Sequence, residues 1–277
     1  MFLRINMPKP KLSIIITHHK TPALLKLCVK SIIRTLKDEG YEIIVVDSES
    51  ETETEEMISE NFPAVVFIPF EQNVGYAKLV NAGIRESRGD FLLVLNSDIV
   101  ILENSVERLL ESMRSNPEIG VSGPRLLNVN GSPQDSCFRF YTPKTIVFRR
   151  TFLRRFGFAR KALEIFVMKD LIADDRPIEA DWLMGSAMLI RRSALKKVGP
   201  LDEKFFMYFE DVDWCRRFWE NGYKVVYFPQ SKMVHYHQKA SRKKGGILDV
   251  FINKFTRTHI RSAFLYFSKH GWRQYSH

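Results

Sequence analysis

Three cysteines in 277 residues, Cys28, Cys137 and Cys215, are too few and too widely spaced for a disulfide framework or a zinc site. A reducing cytoplasm is the setting they lead one to expect. Long apolar runs are also missing, and none approaches the roughly 20 residues that a membrane-spanning helix requires. The opening stretch MFLRINMPKPKLSIIIT lacks a signal-peptide core, because its apolar run is short and reads as a first strand. No Gly-x-Gly-x-x-Gly, zinc spacing or RNP-like aromatic motif is present, which argues against a dinucleotide-binding or nucleic-acid-binding protein. Acidic residues are absent where basic ones gather. Ser136 to Lys161 carries eight Lys/Arg and no Asp/Glu, and Lys239 to His277 carries nine against Asp249 alone. The two stretches contribute +16 of a net charge of +10, so the remaining chain is acidic at −6. Basic residues mixed with aromatics suit an anionic membrane surface.

What is present describes a globular α/β protein: 45% hydrophobic and 27% charged residues, in a chain long enough for a large core. Phe91 to Leu95 is an unbroken apolar run that Asn96-Ser97-Asp98 stops, as expected of a central strand buried on both faces. Ligands of open α/β sheets gather at the carboxyl ends of the strands. Asp98 at such an end could hold Mg²⁺ or Mn²⁺ against a diphosphate. A plain polar turn is the alternative.

Before it, Leu12 to Thr17, Ile43 to Val46 and Val65 to Phe70 read as strands. Helices come between them: one opens at Thr21-Pro22, with Leu25, Val29, Ile32 and Leu36 on one face, and Gly40 closes it. A further helix from Tyr76 to Ser87 carries small residues that suggest close approach. Alternating strands and helices predict a parallel sheet with crossovers. Residues 124 to 180 read as a less regular, partly helical flank. Order returns near Asp181, and strands are expected over Val225 to Phe228 and Met233 to His237. Phe205, Phe206 and Phe209 read as core. They precede Glu210, Asp211 and Asp213 at the start of a helix whose Asp211, Trp214, Cys215 and Phe218 share one face. Val250 to Phe267 reads as a helix suited to a membrane surface.

With these pieces in order, the sequence resembles family 2 glycosyltransferases of the GT-A fold, in the branch of bacterial rhamnosyltransferase-like enzymes. The resemblance rests on LSIIIT, IIVVDSES, NVGYAKLVNAGI, LLVLNSDIVI, the long stretch from Asp181 to Pro229, and VHYH. It implies a mostly parallel central sheet flanked by helices, with a catalytic domain over residues 1–240 and a basic, aromatic-rich helical extension over 241–277.

The resemblance also implies an inverting transfer of a sugar from a nucleotide-sugar donor, dTDP-L-rhamnose or a UDP-sugar, to a saccharide or lipid-linked saccharide; the basic, aromatic stretches lead one to expect the inner face of the plasma membrane as its place. Thr17, Asp47, Asn73, Gly75, Asn81, Asn96 and Asp98 are implied as donor contacts. Asn96 departs from the family's Asp-x-Asp pattern. That departure favours, as a rival, a catalytically silent relative that binds precursors. Asp98 and His235 are implied as ligands of a divalent cation, Mn²⁺ or Mg²⁺; without the resemblance His235 would be an ordinary strand histidine. Glu210 and Asp211 are implied as the catalytic acidic pair, with Asp211 taking the acceptor proton. Their alternative is helix capping, the role expected of Asp213. Trp182 and Gly185 are expected to shape the acceptor side, the indole as a stacking platform for a sugar. Core packing is the alternative for Trp182.

Overall fold

The computed structural model describes residues 8–36, 40–172, 175–236 and 254–272. Its first half follows from the apolar runs. Side chains of a strand alternate between faces, so a run buried on both faces feeds two cores. In β1 (Leu12–His18), Ile15 enters one core while Ile14 and Ile16 enter the other. In β4 (Phe91–Asn96), Leu92 and Val94 divide from Leu93 and Leu95 in the same way. β2 (Tyr41–Ser48) and β3 (Val66–Phe70) complete a parallel block in the order β3-β2-β1-β4.

Helices α1 (Pro22–Thr35), α2 (Thr52–Asn61) and α4 (Ser105–Ser115) cover one face through residues such as Leu25, Ile32, Ile58 and Leu109. Proline starts α1 as expected, and Leu36 rather than Gly40 caps it. The other face takes α3 (Tyr76–Glu86), which lies directly on β1. A methyl at Gly83 would come within 2.3 Å of Ile15 Cγ2, so only glycine fits that approach.

Beyond β4 the sheet is mixed. β10 (Ala187–Arg191) pairs antiparallel with β4, from Ala187 opposite Leu95 to Arg191 opposite Phe91. β6 (Ile119–Leu127) follows β10, and β11 (Lys224–His235) runs parallel to β6. At the far side β5 (Ile99–Ile101) pairs antiparallel with the end of β11, placing His235 opposite Ile99. β8 (Ile178–Glu179) also pairs with β11, giving nine strands among the described residues. The two segments expected over Val225 to Phe228 and Met233 onwards are one strand, with an irregularity between Phe228 and Lys232. His237, the last residue expected in the second segment, lies outside the described residues.

Residues 128–186 carry β7 (Cys137–Phe138), α5 (Pro143–Arg150), a 3₁₀ turn (Phe152–Arg155), α6 (Gly157–Phe166) and β9 (Trp182–Leu183). They surround an aromatic core. Phe138 stacks on Trp182 with centroids 4.3 Å apart, and Tyr141 lies 4.7 Å from Phe209.

After α7 (Arg192–Val198) comes α8 (Glu210–Glu220), the helix that begins with the acidic residues. The described part of the C-terminal extension is α9 (Lys254–His270), which packs on the domain through buried Ala263, Tyr266 and Phe267. Residues 241–253 and 273–277 of that extension lie outside the described residues.

Candidate active site

The parallel strands end together. At their carboxyl ends a cleft of about 480 Å³ opens, lined by Thr17, His18, Ser48, Asn96, Ser97 and Asp98 from the strands and by Asn73 and Tyr76 from the approach to α3. Thr17 and Asn96 are tied by a hydrogen bond of 3.3 Å between Oγ1 and Oδ1, and Ser97 N–H donates to the Thr17 carbonyl at 3.0 Å. Ser48 Oγ is buried without a hydrogen-bond partner among the described residues, an unspent polar group in the cleft wall.

The chain leaves β4 at Asn96, turns through Ser97 and Asp98, and joins β11 as β5. That route brings Asp98 beside His235: Tyr236 N–H donates to the Asp98 carbonyl at 2.8 Å, and His235 Nε2 stands 3.4 Å from Asp98 Oδ1. The imidazole is oriented from behind. Gln134 spends its amide nitrogen on the His235 and Asn128 oxygens, each at 3.0 Å, so its Oε1 accepts from Nδ1–H at 2.9 Å. Nε2 then faces, with its lone pair, a carboxylate oxygen that is buried and has no hydrogen-bond partner among the described residues. Two acceptors so placed repel unless a proton or a cation lies between them. A hard or borderline divalent cation fits this oxygen–nitrogen pair. Among the described residues no third His, Cys, Asp or Glu joins them, so the remaining ligands of a cation would be diphosphate oxygens and water.

On the other side of the cleft stands Tyr76, whose hydroxyl donates to the Gly185 carbonyl. Gly185 N–H in turn donates to Asp211 Oδ2 at 3.0 Å, and Val212 N–H to Oδ1 at 2.9 Å. A methyl there would be a tight fit, meeting Asp211 Cβ at 3.3 Å and the Tyr76 hydroxyl at 3.4 Å. Tyr208 and Phe209, both in the left-handed region with φ of 71° and 67°, turn the chain sharply into α8. Burial pushes the Asp211 carboxyl up to about 6, against the hydrogen bonds from the backbone. Glu210, buried with no hydrogen-bond partner for Oε2 among the described residues, is pushed well above its ordinary value by burial and then by the Asp211 charge. Tyr76 is likewise raised, by burial first and then by these two carboxylates. Of the pair, Asp211 is the one poised to exchange a proton near neutral pH.

Several expected residues stand elsewhere. Asp47 is 1% exposed and is not part of the cleft lining, and both its oxygens are hydrogen-bonded: Oδ1 takes His18 Nδ1–H at 2.7 Å and Oδ2 takes the Ser50 hydroxyl at 2.7 Å. It orients His18, whose Nε2 accepts from Thr21 N–H at 2.9 Å. Asn81 faces away from the cleft. Its amide exchanges hydrogen bonds with Leu201 and donates to Glu203, fixing the turn ahead of α8. Gly75 shapes the cleft indirectly. With φ of 84° and a phantom methyl only 2.5 Å from the Phe206 carbonyl, it lets residues 73–76 close on Phe206. Trp182 is buried, stacked on Phe138, and donates Nε1–H to the Arg139 carbonyl at 2.9 Å.

Phe206, read from the sequence as core, is 37% exposed and lines the cleft with Met207. Sequence reasoning also missed His19 and Glu49 at the rim, 2.7 Å apart, and Phe255 and Thr258 of α9. Polar residues directly after strands were the available signal for the first two. None pointed to α9.

A family model described as "Glycosyl transferase family 2" matches residues 13–199. The chain belongs to glycosyl transferase family 2. Among curated relatives of this family 2 chain is the N-acetylglucosaminyl-diphospho-decaprenol L-rhamnosyltransferase of Mycobacterium tuberculosis, 30% identical over 70% of this chain and 66% of the relative. The match therefore falls just short of two thirds of that protein's length. Rhamnosyltransferase WbbL of Escherichia coli K12 is 25% identical over 87% of this chain and 88% of its own. Among solved structures, GalNAc-T7 with UDP, GalNAc and Mn²⁺ aligns with a TM-score of 0.66 at 15% identity, covering 94% of this chain and 48% of that one. Staphylococcus aureus TarS residues 1–349 align with a TM-score of 0.57 at 16% identity, covering 82% of this chain and 60% of that one. These two share the GT-A fold with the family 2 chain.

Proposed function

We propose that this chain is an inverting, metal-dependent glycosyltransferase that moves L-rhamnose from dTDP-L-rhamnose to a saccharide or lipid-linked saccharide in cell-surface polysaccharide synthesis. The observation that carries the reading is the approach of Asp98 Oδ1 and His235 Nε2 at 3.4 Å beside the cleft where the parallel strands end. The rhamnosyltransferase names of the mycobacterial and Escherichia coli relatives support the choice of sugar. A UDP-sugar donor is the second reading, favoured by the UDP in the GalNAc-T7 structure.

Thr17, Asn73, Asn96 and Ser48 line the space for the nucleotide and offer it polar contacts. Asp98 and His235 would hold Mn²⁺ or Mg²⁺, which when bound neutralises charge developing on the departing nucleoside diphosphate. Asp211 takes the proton of the acceptor hydroxyl as that oxygen bonds to the anomeric carbon and the bond to the diphosphate oxygen breaks. One displacement of this kind inverts the anomeric centre. Gly185 and Tyr76 hold the base in place, and burial raises its proton affinity toward the working pH.

A lipid-linked acceptor puts the enzyme at the inner face of the plasma membrane. No helix among the described residues is long and apolar enough to cross a membrane. Attachment would then be peripheral, through basic and aromatic surface.

The test is nucleoside diphosphate release from dTDP-rhamnose and a panel of UDP-sugars, with Mn²⁺, Mg²⁺ or a chelator, against Asp98→Ala. Metal-dependent turnover of dTDP-rhamnose, lost in the variant, is expected. Turnover of a UDP-sugar alone would move the reading to the second donor. Neither turnover nor thermal stabilisation by any nucleotide would leave a precursor-binding scaffold.

A further inference from the structure

We infer that α5, the 3₁₀ turn and α6 form one surface element that seats the protein on an anionic lipid bilayer; this rests on the reading of a lipid-linked acceptor above. The element exposes rings that a protein in water alone would bury. Phe152, Phe156 and Phe158 are 67%, 49% and 61% exposed. They nonetheless form a connected cluster, with centroids 6.2 Å apart from Phe152 to Phe156, 6.0 Å from Phe156 to Phe158, and 5.6 Å from Phe158 to Phe148. Exposed aromatic patches of this kind mark interaction surfaces rather than chance.

Charge complementarity selects the partner. Lys144, Arg149, Arg154, Arg155, Arg160 and Lys161 are all exposed in the same short span, which has no acidic residue before Glu164. Arg154, Arg155, Arg160 and Lys161 make no ion pair with the described residues. Phenylalanines flanked by arginines match the boundary between headgroups and acyl chains, where rings enter and cations meet lipid phosphate. Val147 and Ile165, 45% and 56% exposed in the same two helices, suit acyl chains and give nothing to a nucleobase.

The underside of the element is anchored near the catalytic helix. Arg149 lies over the Phe166 and Tyr141 rings at 5.2 Å and 5.7 Å, and Tyr141 packs on Phe209, which directly precedes Glu210. Seating this element on a bilayer thus brings the start of α8 toward acceptors carried in that bilayer.

The experiment is co-sedimentation of the full chain with phosphatidylcholine vesicles, with and without phosphatidylglycerol, at physiological salt. Two variants are compared: Phe152→Ser/Phe156→Ser/Phe158→Ser, which keeps the charge, and Arg154→Glu/Arg155→Glu, which keeps the rings. Wild type is expected to bind the phosphatidylglycerol vesicles and hardly the neutral ones. Each variant should lose about tenfold or more in partitioning, with an unchanged melting temperature and unchanged nucleoside diphosphate release with a soluble acceptor. Failure of wild type to bind anionic vesicles overturns the inference, as do variants that bind as well as wild type. Tighter binding to a nucleic-acid duplex than to vesicles at the same salt would also overturn it. Lost vesicle binding with intact donor turnover sinks only the membrane contact. Vesicle binding without any donor turnover sinks only the transferase reading.

Discussion

Asp213 Oδ1 lies 2.7 Å from His270 Nε2, so α8 and α9 meet at a carboxylate with no exposure to solvent. Lys269 Nζ at 2.8 Å and Arg217 Nε at 2.9 Å complete the cluster. Burial pushes the Asp213 carboxyl up, but the hydrogen bond from His270 and the charges of Arg217 and Lys269 outweigh it and leave it below its ordinary value. A lowered carboxyl contributes stability above its unfolded value of 3.8, and that contribution disappears as pH falls through the folded value. Thermal melts of Asp213→Asn should lose about 1–3 kcal/mol at neutral pH, because the buried acceptor shared by His270, Arg217 and Lys269 loses its charge while Lys269 keeps Asp202 and Arg217 keeps the Val198 and Pro200 carbonyls. On acidification below pH 4 the wild type and the variant should converge. Because α9 supplies Phe255 and Thr258 to the cleft, the variant should also raise KM for the donor.

Asp211 gives the opposite sign. Its carboxyl sits at about 6 through burial, above the ordinary 3.8, so folding takes up a proton and stability falls as pH rises between those values. Asp211→Asn should therefore melt no lower than wild type at neutral pH while losing about 10²–10⁴-fold in kcat. In wild type, kcat/KM should rise with pH through an apparent midpoint near 6 that belongs to the Glu210–Asp211 pair. A pH–rate profile without that limb would refute the assignment.

Asp98→Ala and His235→Ala should each abolish stabilisation of the protein by Mn²⁺ together with nucleoside diphosphate, read as a shift in melting temperature. Gln134→Ala, which removes the group orienting the imidazole, should weaken cation binding by about 10–100-fold without removing a ligand. Calorimetric titration of Mn²⁺ into the nucleotide complex measures both effects.

Trp182 and Gly185 separate core from site. Trp182→Ala should cost about 3–5 kcal/mol in urea unfolding, because it empties a stacked position beside Phe138. The KM for acceptor should be unchanged. Gly185→Ala should leave stability nearly intact and lower kcat by about tenfold to a hundredfold, since its methyl crowds Asp211 at 3.3 Å.

β1, β2 and β4 were legible because each carries an unbroken apolar run, a pattern that burial on both faces imposes, and β3 was legible from its short apolar run although it is only partly buried. β6 was not. Gly120, Ser122, Gly123 and Pro124 break its pattern, and the reason is tertiary: a methyl at Gly120 would lie 2.6 Å from Phe218, and one at Gly123 3.0 Å from Leu183. Asp98 could be named from its position at a strand end, whereas His235 was named only through the family resemblance, since by itself it reads as an ordinary strand histidine. Asp47 occupies such an end too, yet its partner His18 comes from a neighbouring strand, and pairing across strands leaves no mark in a single sequence. The amphipathic pattern of α9 revealed an apolar stripe but not what covers it, which is Phe209 and its neighbours on the domain.

Asp98 emerges with the first hundred residues, whereas His235 stands at the end of the last described strand. β5 cannot find its place in the sheet until the end of β11 arrives to pair with it. During synthesis the parallel block can form early from neighbouring segments, while the approach of Asp98 to His235 depends on a contact between distant ones. The growing chain thus cannot bring Asp98 and His235 together, nor offer the cation site proposed for them, until β11 has been made.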